Sequence, residues 1–168
     1  MNIILRKEVP SDIADIQALI ATAFLNAPHT SHTEEFIVNA LRNSGYLTLS
    51  LVAEVDRQIV GHVAISPVSI SDKSQGWYGL GPVSVNPEHQ GMGIGSRLIS
   101  QALDTLREQG AAGCVVLGEP KYYRRFGFEA EPSLVLPNVP PAYFQALSLG
   151  TQMPKGFVSY HESFAVQD

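Results

Sequence analysis

The 168-residue sequence holds a single cysteine, Cys114, so no disulfide can close within the chain. That fits a reducing cytoplasm without requiring one. Positive charge is also scarce: 11 Lys and Arg face 16 Asp and Glu, for a formal net charge of −5. A general nucleic-acid binder needs a basic surface to displace counterions, so no nucleic-acid partner is expected; only a local basic patch stays open. Long apolar runs are missing too. No stretch approaches the roughly 20 residues of a membrane span, and the opening MNIILRKEVPSDI has too short an apolar run for a signal peptide. What is present is a hydrophobic share of 45%, enough for a packed core at the length of one ordinary domain. The expectation is one soluble, cytoplasmic domain spanning 1–168, with no membrane partner.

The pattern along the chain alternates strand and helix signals. NIILRKE (2–8) reads as a short strand. Pro10, Ser11 and Asp12 give a helix start, and Ile13, Ile16, Ile20 and Phe24 recur at helical spacing through 12–25. Ser31 and Glu34 have capping-box spacing for a second helix that Gly45 ends. YLTLSLVAEV and QIVGHVAISPVSI, separated by Asp56 and Arg57, read as a hairpin. WYGLGPVSV is a strand whose Gly79, Gly81 and Pro82 suggest a bulge or kink. A helix over 93–109 buries Leu98, Ile99, Ala102, Leu103 and Leu106 and stops at Gly110. AAGCVVLG is a buried strand, Glu119 and Pro120 open a short helix, and FGFEAE turns into strand. The Pro-rich LPNVPPAY is a connector, and YFQALSL and GFVSYHESF read as closing strands. The fold class is α/β (α+β), with helices on both faces of a mixed sheet.

The run NPEHQGMGIGSRLISQAL (86–103) places Gly91, Gly93 and Gly95 where a helix should begin. A helix start offers unpaired N–H groups and the positive end of the helix dipole, and together they favour a phosphate. Glycine lets such a ligand approach the backbone. The plainer reading is a glycine-rich turn with nothing bound. A nucleotide P-loop is disfavoured because no Lys follows these glycines. A dinucleotide site is disfavoured because one glycine falls a residue early and three strands precede the turn.

The run from Val85 through Gln90, Gly91, Met92, Gly93, Ile94 and Gly95 resembles the acetyl-CoA signature of the GNAT superfamily of N-acetyltransferases, [QR]-x-x-G-x-[GA] after a V-x-P strand end. YYRRFGF (122–128) is similar to the tyrosine-bearing helix and strand start of that family, and the element order matches up to residue 128. LGEP, RFGF and YHESF further resemble a YhbS-like bacterial branch. The resemblance is strong over 79–128 and weak over 129–156. It implies a GNAT-like, mostly antiparallel central sheet with a splayed strand pair at the coenzyme site, and acetyl-CoA as acyl donor. By the same resemblance Gln90 opens the turn and Gly91, Met92, Gly93, Ile94, Gly95 and Ser96 hold the pyrophosphate. The main chain around Val83 and Val85 would bond the pantetheine arm. The Gly81–Pro82 kink falls where composition also suggested a bulge, and the thioester would lie where that strand parts from GCVVLG.

The implied reaction is direct attack of a neutral primary amine on the thioester. A lysine-like amine has a pKa of about 10.4, so its proton must be removed, directly or through water. Tyr123, five residues before Phe128, matches the family tyrosine and would donate to the leaving sulfur. With pKa values of about 10 for tyrosine and about 8.5 for a free thiol, full transfer is uphill by roughly 2 kcal/mol, and burial of the thiolate narrows that gap. The bland reading of Tyr123 is a ring packed under the sheet; Tyr122 is assigned to packing. Glu119 is the candidate proton relay, although a carboxylate at a helix start is the simpler reading. Many family members bond the pantetheine through an Asn near here, and no Asn lies between 112 and 123.

Other polar residues carry weaker signals. His62 reads as a structural strand histidine, and His89 as packing for the turn. His29 and His32 lack a carboxylate or cysteine to complete a metal set, so no metal is expected. His161 and Glu162 would point to opposite faces of a strand. Arg124 and Arg125 read as a solvated face, and Cys114 as inert. The acceptor would be a small-molecule amine or a peptide amine, and a homodimer stays open. The competing functions are a catalytically silent CoA-binding sensor or interaction module and, further off, a nucleotide-binding domain.

Overall fold

Four helices and nine strands are seen in the computed structural model, which describes residues 2–28, 30–150 and 152–167; His29 lies outside the described residues. In chain order the elements are β1 (Ile3–Lys7), α1 (Ile13–Phe24), α2 (Glu34–Ser44), β2 (Leu49–Val55), β3 (Gln58–Ile70), β4 (Trp77–Val85), α3 (Ile94–Glu108), β5 (Gly113–Leu117), α4 (Pro120–Tyr123), β6 (Glu129–Ala130), β7 (Leu134–Val135), β8 (Phe144–Ser148) and β9 (Gly156–Tyr160). The chain divides into two units. One comprises Met1–Ile65, Gly81–Ala102 and Glu162–Asp168; the other comprises Ser66–Leu80 and Leu103–His161. β3, β4 and α3 run through both.

The first unit is built on the antiparallel strands β1, β2 and β3. The β2–β3 hairpin closes through Asp56 and Arg57, both in the left-handed region with φ of 49° and 66°. Two positive φ values in a two-residue loop match the right-handed twist of the flanking strands. Val52 and His62 pair on one face of this sheet, Ala53 and Gly61 on the other. Ile16 and Ile20 of α1 and Val38 of α2 pack on the Val52 and Ala64 face. Ile94 and Leu98 of α3 approach the Gly61 face, so helices cover both sides. Asp12 fastens the start of α1: its carboxylate accepts the Val9 N–H at 2.8 Å and a two-point contact from Arg6 at 2.7 and 3.0 Å. The second helix differs in detail from the expected capping box. Its cap position is Thr33, and the Glu34 carboxylate instead accepts the Ser31 N–H at 3.2 Å.

In the second unit β5 lies between β4 and β8. The β4–β5 pairing is parallel and covers Trp77–Gly79 against Gly113–Val115, while all five residues of β5 pair with β8. β6 continues the sheet beyond β8, and β9 pairs with the end of β3 and with β7. Most pairings are antiparallel. The core of this unit joins Ile70, Trp77, Val115, Leu134, Phe144, Ala146 and Val158. Two expectations need correction here. The closing strand ends at Tyr160, and Glu162 begins a short 3-10 turn, so His161 and Glu162 do not alternate along one strand. β7, between FGFEAE and the Pro-rich LPNVPPAY, was not expected.

Candidate functional site

Strand β4 ends at Val85, and the chain then turns into α3 through a shape fixed by its own side chains. The Asn86 side-chain carbonyl accepts the Glu88 N–H at 2.9 Å, and the Asn86 N–H donates to the Val60 carbonyl at 2.8 Å. The Gln90 side-chain amide donates to the Val85 carbonyl at 3.3 Å, tying the turn to the strand end. Gly91 and Gly93 both sit at φ +80°. Side-chain-bearing residues pay for that conformation and glycine does not. A Cβ placed on either glycine would meet nothing within 4 Å, so the space over this backbone is open. Gly91, Met92 and Gly93 are exposed, whereas Ile94 is buried.

The sequence therefore builds an open main-chain surface beside a firmly held helix start. Arg97 N–H bonds to the Gly93 carbonyl at 3.1 Å. Ahead of it, the N–H groups of Ile94 and Gly95 precede this first turn's bond. The 15 residues of α3 point the positive end of their dipole toward the turn. Gly61 sets the position: a Cβ there would lie 2.8 Å from Ile94 Cγ2 and 3.0 Å from Leu98 Cδ1, closer than packed atoms tolerate. Val83 and Val85, upstream on β4, are half-buried and flank the buried Ser84. The irregular centre expected for β4 is Gly81–Pro82, joined by a cis peptide with Gly81 at φ +139°. Gly79 is regular strand in register with Val115.

In the second unit, Glu119 caps α4 through its backbone carbonyl, which accepts the N–H groups of Tyr122 and Tyr123 at 3.1 Å each. Its exposed carboxylate makes no capping bond. Tyr123 is half-buried, edge-on to Phe128 at 6.0 Å between ring centroids. Its ring occupies the space a side chain at 118 would need: a Cβ on Gly118 would lie 2.4 Å from Tyr123 Cε2. Burial, with a smaller contribution from the neighbouring Tyr122, pushes the Tyr123 phenol up to about 12. The phenol is therefore neutral at every physiological pH. Tyr122 packs edge-on against Phe126 at 5.5 Å, and the Arg125 guanidinium lies 4.5 Å over its ring, which accounts for both as packing. Cys114 is fully buried, and burial pushes its thiol up, away from the reactive thiolate.

Two features carry more structure than the sequence reading gave them. His62 is fully buried on β3, with Nε2 2.8 Å from Ser50 Oγ. Ser50 donates to Glu8, which Arg42 grips at 2.7 Å through two nitrogens. Since the Glu8 carboxylate can only accept, Ser50 must accept from His62, leaving the proton on Nε2 and a bare, unpartnered Nδ1. Burial, aided by the Arg42 charge, lowers His62 to about 4 against an opposing pull from Glu8. Glu8, Arg42 and Ser50 line a cavity of about 260 Å³. The second feature is Tyr160, whose ring lies across the backbone of Gly79. Hydrophobic spacing carries no sign of either, because both depend on strands distant in sequence. Among the described residues, no cluster of His, Cys, Asp or Glu could hold a metal ion, and no described helix is long and apolar enough to cross a membrane.

Comparison with known proteins places this geometry in a family. The sequence profile described as the acetyltransferase (GNAT) family matches residues 13–128. The uncharacterized N-acetyltransferase YhbS of Escherichia coli K12 is 37% identical over 169 residues, covering 96% of this chain and 98% of the relative. A crystal structure of a GNAT family acetyltransferase from Brucella melitensis in complex with acetyl-CoA is 49% identical. It superposes with a TM-score of 0.87 over 97% of this chain and 98% of that one. The structure of Escherichia coli YhbS in complex with CoA is 35% identical, with a TM-score of 0.90 over 99% and 93% of the two chains. An open turn of left-handed glycines leading into α3, and the tyrosine-bearing helix after β5, thus belong to a chain related over nearly its whole length to acetyltransferases: the protein is a member of the GNAT family of N-acetyltransferases.

Proposed function

We propose that this protein, acting as one domain over 1–168, transfers the acetyl group of acetyl-CoA to a primary amine by direct attack on the thioester. The acceptor is a small-molecule or peptide amine. The observation that carries this reading is the turn at Gly91 and Gly93, where left-handed backbone and open space leave N–H groups accessible at the start of a 15-residue helix. A diphosphate fits such a surface because it needs several donors at once and close approach to the main chain. The complexes of the Brucella melitensis relative with acetyl-CoA and of YhbS with CoA support the choice of ligand.

In this reading the main chain from Gly91 through Ser96 binds the diphosphate, with Gln90 holding the turn to Val85. The main chain at Val83 and Val85 bonds the pantetheine arm; because Gln90 already occupies one lone pair of the Val85 carbonyl, the arm uses what remains. As the amine nitrogen bonds to the acyl carbon, the C–S bond breaks and the electron pair stays on sulfur. Tyr123 supplies the proton. Against a free thiol its phenol is about 3.5 units too weak an acid, roughly 5 kcal/mol. Tyr123 therefore acts first as a hydrogen-bond donor to the departing sulfur, and transfer completes because desolvation raises the thiol as it raises the phenol. Glu119, exposed at the start of α4, takes the amine proton through water and releases it to solvent.

The test is thiol release from acetyl-CoA over a panel of primary amines, alongside thermal unfolding with acetyl-CoA, CoA and NAD. A ligand at about 100 times its Kd adds about 2.7 kcal/mol to apparent stability. Stabilisation by acetyl-CoA and CoA but not NAD, with amine-dependent thiol release, is the expected result. Stabilisation without release for any amine would replace the enzyme by a silent CoA-binding module. No stabilisation by either coenzyme would remove the reading altogether.

A further inference from the structure

An apolar cavity of about 320 Å³ lies in the second unit, walled by Leu134, Leu136, Val139, Phe144 and the exposed Ala142. Its volume falls at the lower end of small-molecule sites, which run from about 300 to 1,000 Å³. Among the described residues that line it, Glu131 is the only charged one. Glu131 Oε1 accepts the Ser133 N–H at 3.4 Å, which leaves Oε2 to meet a cation. The cavity adjoins the end of β5. Its wall residue Phe144 pairs with Leu117, one strand spacing of about 5 Å away. Leu117 lies two residues past Val115, the last β5 position paired with β4, and is 47% exposed. The next residue, Gly118, donates its N–H to the Tyr143 carbonyl at 2.9 Å, and the Tyr123 ring fills the space beside its missing Cβ. Apolar side chains therefore continue from the cavity through Phe144 to Leu117, next to the glycine that seats Tyr123.

We propose that this cavity holds the apolar body of the acceptor, so that the substrate is a small alkylamine or arylalkylamine without a carboxylate. The inference rests on the transfer to a primary amine proposed above, with the thioester sulfur in reach of Tyr123. Charge selects this occupant. The Glu131 carboxylate attracts an ammonium ion and repels the carboxylate of a free amino acid. A longer acyl chain on the coenzyme has no charge for Glu131 to complement. Glu131 acts on binding alone; the amine loses its proton by the route already given. Each further methylene of the amine that enters the cavity should strengthen binding about fourfold.

The experiment measures thiol release from acetyl-CoA with methylamine, butylamine, hexylamine, phenethylamine and phenylalanine. It compares the full-length wild type with Glu131→Gln, Val139→Ser and Ala142→Leu, and melting temperatures check each fold. Ala142 is exposed, so Ala142→Leu, which fills part of the cavity, carries the test if Val139→Ser unfolds. We expect kcat/KM to rise about 100-fold from methylamine to hexylamine, and to favour phenethylamine over phenylalanine by about 100-fold. Val139→Ser and Ala142→Leu should each lower the hexylamine-to-methylamine ratio at least fivefold, and Glu131→Gln should narrow the preference against phenylalanine at least fivefold. Equal turnover of methylamine and hexylamine, or a ratio unchanged in folded cavity variants, overturns the proposal and leaves acyl transfer standing. An unchanged preference in Glu131→Gln overturns the selection by charge. If the cavity variants instead impair hexanoyl-CoA relative to acetyl-CoA, the cavity holds the acyl chain and the proposal fails. No thiol release with any amine removes the acyl-transfer reading and this proposal together.

Discussion

Single residues separate chemistry from packing in this protein. Tyr123 is held neutral by burial to about pH 12, so its ionisation should cost no activity up to about pH 10. Tyr123→Phe should lower kcat by about 100-fold, the lower end for loss of a general acid, with little change in KM for acetyl-CoA. Steady-state kinetics across pH checks both; a pH-independent, wild-type kcat in the variant would show that the ring only packs. Gly93 offers a second test with an internal control. Gly93 and Gly45 have nearly the same φ, 80° and 83°, and open space where a Cβ would go. Alanine at either should cost about 1 kcal/mol of stability from backbone strain. In the proposed reading only Gly93→Ala places a methyl group against the diphosphate, so calorimetry should show acetyl-CoA affinity falling at least tenfold there and staying unchanged in Gly45→Ala.

The elements show which parts of the fold were legible in the sequence. β4 was read at its observed limits because Gly76 and Asn86 bracket a run of β-branched and aromatic residues. The β2–β3 hairpin was readable from two such runs separated by two residues. α3 followed from the spacing of Leu98, Ile99, Ala102, Leu103 and Leu106, all of which are buried. β7 was not legible, since two residues between Pro132 and Pro137 carry no period and become a strand only by pairing with β9. Gly79 illustrates the same limit: composition marks it as a weak strand residue, but its reason is the ring of Tyr160, 81 positions later. The glycine turn and Tyr123 were readable because each is a local pattern, whereas Tyr160 and the His62–Ser50–Glu8 chain join distant segments. At this scale Gly61→Val is the informative change. Its side chain would collide with Ile94 and Leu98, shift the start of α3 and cost about 1–3 kcal/mol by overpacking. Acetyl-CoA binding should weaken as well, although residue 61 is not among those proposed to hold the coenzyme, and paired unfolding and binding measurements test that link.

For the molecule as a whole, the buried polar chain at His62 predicts how stability responds to pH. His62 is lowered to about 4 in the folded state, whereas an unfolded histidine titrates near 6.5. Between those values the unfolded chain binds a proton that the folded chain refuses, so stability is complete above about pH 6.5 and falls as pH drops toward 4. The full difference is about 3 kcal/mol. Glu8 and Asp12, both held low by their arginine partners, add losses only at lower pH, as it passes below the ordinary carboxylate range. Melting temperatures recorded from pH 7 to 4 should decline in the wild type and flatten in His62→Gln; equal slopes would remove His62 as the cause. The measurement that bears most directly on the functional account is a crystal structure of the protein with acetyl-CoA. The account predicts the diphosphate about 3 Å from main-chain nitrogens between Gly91 and Ser96, with the sulfur within hydrogen-bonding reach of the Tyr123 hydroxyl. A coenzyme seated away from that turn, or one whose sulfur lies beyond reach of Tyr123, would contradict it.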